Sequence, residues 1–591
     1  MQQVSTAWAE AHAGALLGEA FIEISYDVTD PDAHGDAVPS ATGTLSALSR
    51  ISDTVAAGPT PPAAYATLED GLWLLDGSRR VIPASGATPG GFVGSALSDA
   101  SGAYGTPYPA LTLTFSEVHE PNIPGVTVTW STVYGEYASS FRVTAYNGSA
   151  AIAEKTVTGN TSVRSVVLLD ISSYDRIVIE VLSWCLPYRR ARMEAVFVGI
   201  RRVYTRGDLT AYRYEASVDP ISAEAPIGRI SFSLDNRDDK FDPTNDAGMS
   251  KYLTERQKMT VRYGQRLGGG STEYIPGGVF YLSEWDAPQN GLCANFTARD
   301  ICGLLAQGSY IKGVYRPAGA TLYSLAADVL TDAGIAPALW SLDESLKTVT
   351  TVAPLPVASH LVCLQYIAAA AGCILGCGRD GVFRIAPASS AATDYALTAF
   401  NMFERPEISL SRPLGAVRTK VYSYTVGSET ELASAMVAVD GTREVILTYS
   451  SAAVDAAATV TGGTLAAAEY WSGACRLTLS GSGNMTVTVR GKALSVSSSA
   501  HTYTVGDGEA QEVDDPLVTS SALADSMSAW VAACLGGRKT LKISSWRADP
   551  RLDAGDVVTV AGKYATESVR VTSLKYEYSG AFRGSGEGRV I

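Results

Sequence analysis

The sequence has 591 residues, with 60 acidic against 46 basic side chains and a formal charge of −14; a chain this acidic lacks the basic face that gripping nucleic-acid phosphates requires, though it suits a channel through which a polyanion slides without sticking. At roughly 100–200 residues per domain the length predicts three to five domains. The 56 glycines and 29 tyrosines, in a composition 46% hydrophobic and 18% charged, predict many short strands joined by tight turns.

In chain order, the opening MQQVSTAWAEAHAGALLGEAF has no basic start and is interrupted by Glu10 and Glu19, so it does not read as a signal peptide. No window reaches the roughly 18 continuous apolar residues of a membrane helix, and synthesis in the cytoplasm is the expectation. FIEISYDV, residues 21–28, alternates apolar and polar and predicts a strand; a loose Asp, Pro, Gly and Ala stretch then runs to a boundary near residue 67. From 68 to 200 the texture becomes evenly spaced alternating strands. LTLTF sets Leu111, Leu113 and Phe115 on one face, VTVTW sets Val126, Val128 and Trp130, FRVTAY sets Phe141 and Val143, and RIVIEVL sets Ile177, Ile179 and Val181. With no long helix between them, these predict a β-sandwich or jelly roll.

Residues 201–300 carry another antiparallel set, YRYEASV, GRISFSLDN, KMTVRYG and GVFYLSEWD. Residues 301–400 read as α+β. TLYSLAADVLTDAGI places Leu322, Leu325, Ala326, Val329 and Leu330 on one stripe and stops at Gly334, HLVCLQYIAAAAGC is similar, and GCGRDGVFRIAP reads as strand, turn, strand. Residues 401–515 are strand-rich again. Residues 516–591 start with the helix SALADSMSAWVAACLGG and end in strand pairs that read as a small barrel or sheet of their own. The fold class expected is mainly β with some α+β, as closely packed domains.

Chemistry is sparse. The five histidines, His12, His34, His119, His360 and His501, fall in different segments, with no His-Glu-x-x-His and no Gly-x-Ser-x-Gly. Acidic pairs occur everywhere among 60 carboxylates and decide nothing, so neither catalytic residues nor a cofactor are expected. The eight cysteines read as buried free thiols; Cys373 and Cys377 are four apart, but no second pair accompanies them as a zinc site needs.

The acidic stretch ISFSLDNRDDKFDPTND, residues 230–246, is the sharpest metal candidate, yet a calcium loop starting at Asp235 would put Arg237 at its third position and Lys240 at its sixth, where a ligand and a turn glycine are required. The other reading turns Ile230, Phe232 and Leu234 to one face, ends the strand at Asp235 and Asn236, and anchors the loop through Phe241. Asp235, Asp238 and Asp242 then mark a rigid charged edge, a candidate assembly loop. In the 68–200 module, Trp73, Tyr104, Tyr108, Tyr134 and Tyr137 are candidates for stacking on sugar rings; the alternative makes Trp73 core and the tyrosines rim packing. Arg189, Arg190 and Arg192 beside Tyr188 read as solvated or internally paired.

The segments ATLEDGLWLLDGS, GFVGSALSD, PALTLTFSEVH, VTVTW and YDRIVIEVLSWCLPYRRARMEAVFVGI resemble the discoidin-like (F5/8 type C) jelly roll found inserted in tail proteins of phages and prophages of Gram-positive bacteria. The flanks FIEISYDVTDPDA (21–33), GRISFSLDNRDDKFDPTND (228–246), GCGRDGVFRI and DPRLDAGDVVTV with VRVTSLKYEYSG resemble phage tail hub proteins. That resemblance implies a homotrimer of tube-like β-barrel domains joining tail tube to tail tip in the virion tail. In it, residues 1–67 and 201–300 would fold together around the insertion. Implied partners are a tail tube or distal tail protein, a tape measure protein, tail fibre or tip proteins and host-surface glycan; the resembling motifs fix no glycan-binding residue, and Trp73, Tyr104, Tyr134 and Tyr137 are candidates as loop aromatics only. DNA would pass through the lumen without specific binding. No peptidase or muramidase segment follows the hub part, so wall degradation is expected of another protein. The rival readings are a surface or secreted carbohydrate-binding adhesin and an accessory part of a glycan hydrolase.

Overall fold

The computed structural model describes residues 1–14, 18–46, 48, 65–81, 91–288, 291–389 and 391–591, and the chain is mainly β. Its largest element is a sheet of thirteen strands: β1 (Ala20–Thr29), β2 (Gly199–Tyr204), β3 (Leu209–Ser217), β4 (Arg229–Asp235), β5 (Lys258–Arg266), β6 (Thr272–Asp286), β7 (Cys293–Arg299), β8 (Ala392–Leu397), β9 (Glu407–Leu410), β10 (Lys539–Arg547), β11 (Val557–Ala561), β12 (Thr566–Tyr578) and β13 (Phe582–Val590). The hydrogen-bonded order is β2-β1-β5-β6-β7-β4-β3-β12-β13-β10-β9, with β11 also on β12 and β8 on β11. The path is open, and no closed barrel occurs in the single chain among the described residues.

The C-terminal strands differ from their sequence reading. They form no sheet of their own, because β3 pairs antiparallel with β12, Tyr212 opposite Tyr578 through Ser217 opposite Ser573. The cause is shared burial: Tyr26, Phe232 and Tyr263 from the first half and Trp546, Tyr576 and Phe582 from the last belong to one apolar cluster. Such a cluster gains roughly 25 cal/mol per Å² of apolar surface removed from water, which two half-sheets closed separately would leave exposed.

Between β1 and β2 the chain builds a sandwich with its own core. One sheet runs Val38–Ala41, Ala110–His119, Tyr174–Trp184, Ala138–Asn147, Ala150–Thr158 and faces a second made of Arg164–Ile171, Ile123–Thr129 and Ala195–Phe197. The alternation read from sequence is the burial pattern found, with Leu111, Leu113, Val126, Val128, Trp130, Phe141, Val143, Ile177, Ile179 and Val181 all buried. Val38–Ala41, lying before residue 68, already pairs with this sheet in the register Val38 to Thr114, and Ala33 sits in its core; two alternating residues on an edge left no sequence signal.

The helices Leu322–Asp332 and His360–Ala370 form a third core with Phe383 and Ile385. They start where hydroxyls cap them, Thr321 accepting the Ser324 amide at 3.1 Å and Ser359 the Val362 amide at 3.3 Å. Beyond them, Leu414–Thr448 pairs with Ala474–Thr504 along nearly its whole length, and Ala453–Thr461 with Thr464–Tyr470 covers the other edge. Glycines with positive φ fall at one level of all three layers, Gly441 (79°), Gly462 (92°), Gly481 (142°) and Gly483 (103°). There the sheet bends over Val437, Val439, Leu477, Leu479, Val487 and Val489, which fill the inside.

Candidate functional site

One end of the sandwich gathers most of the residues singled out from sequence. The Glu69 side chain is fully enclosed. It accepts from both terminal nitrogens of Arg192, one at 2.9 Å, from the Arg190 amide at 3.0 Å and from the Thr67 hydroxyl at 2.7 Å. Burial alone would raise this carboxyl, but the Arg192 bond and charge, with the amide and hydroxyl donors, hold it below its ordinary value. Arg189 Nε donates to Glu136 Oε1 at 3.0 Å, and Glu136 Oε2 accepts the Trp184 indole N–H at 2.9 Å. Arg189 and Arg192 are therefore internal ion pairs that pin the 67–75 loop to the sandwich end.

Around this frame the aromatic candidates separate. Tyr104 is buried and its hydroxyl donates to the Arg189 carbonyl at 3.0 Å. The Tyr134 hydroxyl donates to the Tyr65 carbonyl and accepts the Tyr65 amide, both at 3.0 Å, and the Arg192 guanidinium lies 5.1 Å from its ring centroid. Tyr137 and Tyr108 are half-buried against the sandwich core. Trp73 is 45% exposed and stands with exposed Leu68, Leu74 and Leu75. Glu69 and the arginines thus hold Tyr104 and Tyr134 as supports beneath a loop whose outward surface is Trp73 and leucines. The leucines were missed in sequence, although the apolar run LWLL set between two Asp-Gly turns carries the signal.

The 235–253 loop is stitched by its own carboxylates and turns. Amides of Asp239, Asp242, Asn245 and Gly248 each donate to the carbonyl three residues earlier. Buried Asn236 accepts the Phe241 amide at 2.9 Å, and Phe241 packs edge-on to Phe296 at 5.2 Å. Asp235 chelates Arg237, whose bond pushes its carboxyl down to about 2. Asp242 caps Thr244 through amide and hydroxyl at 2.7 Å each, and Asp238 lies 3.5 Å from Lys240 and is largely exposed. The carboxylates point to separate local donors, and no group of three acidic, histidine or cysteine side chains that could hold a metal occurs among the described residues.

A third constellation joins the parts of the molecule. Arg379, in the turn of the Ile374–Ala386 hairpin, is buried against Tyr214 and Tyr263. It donates to the carbonyls of Pro276 at 3.1 Å, Leu552 at 2.7 Å and Pro550, and it pairs with Asp553. Beside it lies a cleft of about 490 Å³ walled by Gly277, Asp300, Gly376 and Asp553. No helix among the described residues is long and apolar enough to cross a membrane, and all eight cysteines are free thiols.

No family model matches the chain, and no curated protein matches it. Among solved structures it is similar to the tail protein from Neisseria meningitidis MC58, with 11% identity, 66% of this chain and 94% of that one covered and a TM-score of 0.38. It is also similar to the 43 kDa tail protein of prophage MuSo2 from Shewanella oneidensis, with 12% identity, coverage of 66% and 95% and a TM-score of 0.35. Prophage tail protein gp18 from Listeria monocytogenes EGD-e gives 11% identity, coverage of 66% and 91% and a TM-score of 0.37.

Proposed function

We propose that this chain is a structural hub subunit of a phage-like tail, with the thirteen-stranded sheet as its body and the sandwich displayed from it. The observation that carries this reading is convergence. The segments 21–33, 228–246 and those around 557–578, each resembling hub proteins, are far apart in sequence yet meet in one sheet as β1, β4, β11 and β12. In this reading the subunit assembles as a homotrimer with tail tube, tape measure and tip proteins, lets DNA pass without specific binding, and catalyses nothing. The domain division that follows puts residues 1–29 and 199–300 with the C-terminal strands in one body and moves the boundary expected near residue 67 back to Thr29, since Ala33 and Val38–Ala41 pack in the sandwich. Immunogold labelling of tails together with native mass of the purified chain tests it; label absent from tails, or a strict monomer, rejects the hub.

The exposed Trp73 supports a second element of the proposal, weak glycan contact multiplied by copy number. Trp73→Ala should abolish cell or glycan-array binding with little change in the melting profile, since the side chain is exposed and outside the buried clusters. Asp238 tests the assembly loop more cleanly than Asp242, which caps Thr244: Asp238→Lys should weaken oligomer formation and leave glycan binding unchanged.

A further inference from the structure

The main path of the thirteen-stranded sheet ends in two strands that pair on one side only, β2 at one end and β9 at the other, and its side branch ends in β8, which pairs with β11 alone. The β9 end carries an apolar surface that nothing in the described chain covers: Phe403 is 66% exposed, Ile408 54% and Leu410 65%. All four residues of β9 are exposed on both faces, which is unusual for a strand in register with a neighbour. A free edge bearing apolar side chains is a template for strand addition. Proline at 406 and 413 limits it to a short segment and so to a specific partner.

We infer that β9 of one copy adds to β2 of a second copy, continuing the sheet from molecule to molecule; this rests on the hub reading and names its contact. The complementarity lies in the alternation. On β2, Val203 is 51% exposed on one face, while exposed Arg202 on the other has no ion-pair or hydrogen-bond partner among the described residues. On β9, Ile408 and Leu410 share one face, and Glu407, likewise unpartnered, takes the other. Setting Val203 beside Ile408 buries apolar against apolar and places Arg202 and Glu407 together, directly opposite or on the diagonal according to strand direction. The sandwich meets β2 from its Gly199 end, where Thr127 donates to the Gly199 carbonyl at 3.1 Å, and Arg202 and Val203 beyond it are exposed. The chain already contains one such junction, β3 against β12. Because the two edges differ, the contact is head-to-tail, which builds a ring or an open array instead of a two-fold dimer.

The test is charge reversal in the full chain, read by sedimentation and native mass with thermal melts as the folding control. Arg202→Glu and Glu407→Arg should each weaken self-association by about ten-fold or more, and the double variant should recover most of it, because only the sign of the pair has changed. Ile408→Asp should weaken association with either charge arrangement. Single reversals without effect, or a double variant weaker than both singles, overturn the edge assignment. If that occurs while the wild type still assembles and labels tails, the hub reading stands and only this contact falls; a wild type that is monomeric and absent from tails removes both.

Discussion

Two buried ionisable residues show opposite ways of surviving burial. Arg379 keeps its charge by spending its donors on three carbonyls and Asp553 inside a wall of tyrosines. Arg379→Ala should cost about 3–5 kcal/mol, because the partners lose their donor but stay buried; urea unfolding of the whole chain would show it as an earlier midpoint. Arg379→Lys should fall between the two, since an ammonium cannot span the fork of acceptors. Asp515 has no cation. Its Oδ1 accepts the Leu517 amide at 2.9 Å, Oδ2 has no partner, and burial, with the Asp514 charge adding, raises its carboxyl to about 8. A raised carboxyl contributes stability that is fully present below the unfolded value near 3.9 and is lost as pH rises through about 8. Asp515→Asn keeps the Leu517 bond and has nothing to ionise. Between pH 6 and pH 9 the variant should therefore gain on the wild type by more than about 1.4 kcal/mol, the value of one pKa unit; parallel pH profiles would contradict the assignment.

Elements were legible where one face is buried and the other wet. The sandwich strands and the stripe of Leu322–Asp332 could be read because their partners lie nearby and the burial alternates. Leu414–Thr448 could not be read as one strand, since more than half of its residues are exposed and period two dissolves where neither face is uniformly dry. What fixes its shape is the glycine level. Gly483 has φ of 103° and open space around the position a Cβ would take, so Gly483→Ala, which adds that Cβ alone, isolates backbone strain from any clash. It should cost about 1–3 kcal/mol and raise hydrogen exchange across residues 414–504 while leaving β1 to β13 protected. The 67–75 loop illustrates the same limit at the candidate site: LWLL could be seen, but not that Glu69, about 120 positions before Arg192, would hold it outward.

At the scale of the whole molecule, the β3–β12 junction was invisible because its partners are 364 positions apart, as in Arg213 with Glu577, and no local pattern encodes such a distance. The insertion point obeys simpler geometry. β1 and β2 are antiparallel neighbours with Thr29 opposite Gly199, so the whole sandwich hangs from the tip of a hairpin that a two-residue turn could close. The polar links that bind it to the body are modest: the largely exposed pairs Lys251 with Asp170 at 2.7 Å and Arg256 with Asp32 at 3.0 Å, and at the junction itself the buried bonds from the Thr127 hydroxyl to the Gly199 carbonyl and from the Thr29 hydroxyl to the Val198 carbonyl. Exposed pairs are worth about 0–1 kcal/mol each, whereas the apolar cores of body and sandwich are separate clusters. Replacing residues 30–198 by Asn-Gly, which favours the tight hairpin turn, should therefore give a folded chain with the body's melting transition intact. If the edges β2 and β9 carry assembly, its oligomeric mass should scale with the shortened chain, while glycan or cell binding disappears. Aggregation of the shortened chain would show instead that the body needs the insert to fold, and loss of the oligomer alone would move the assembly surface from the sheet edges to the sandwich.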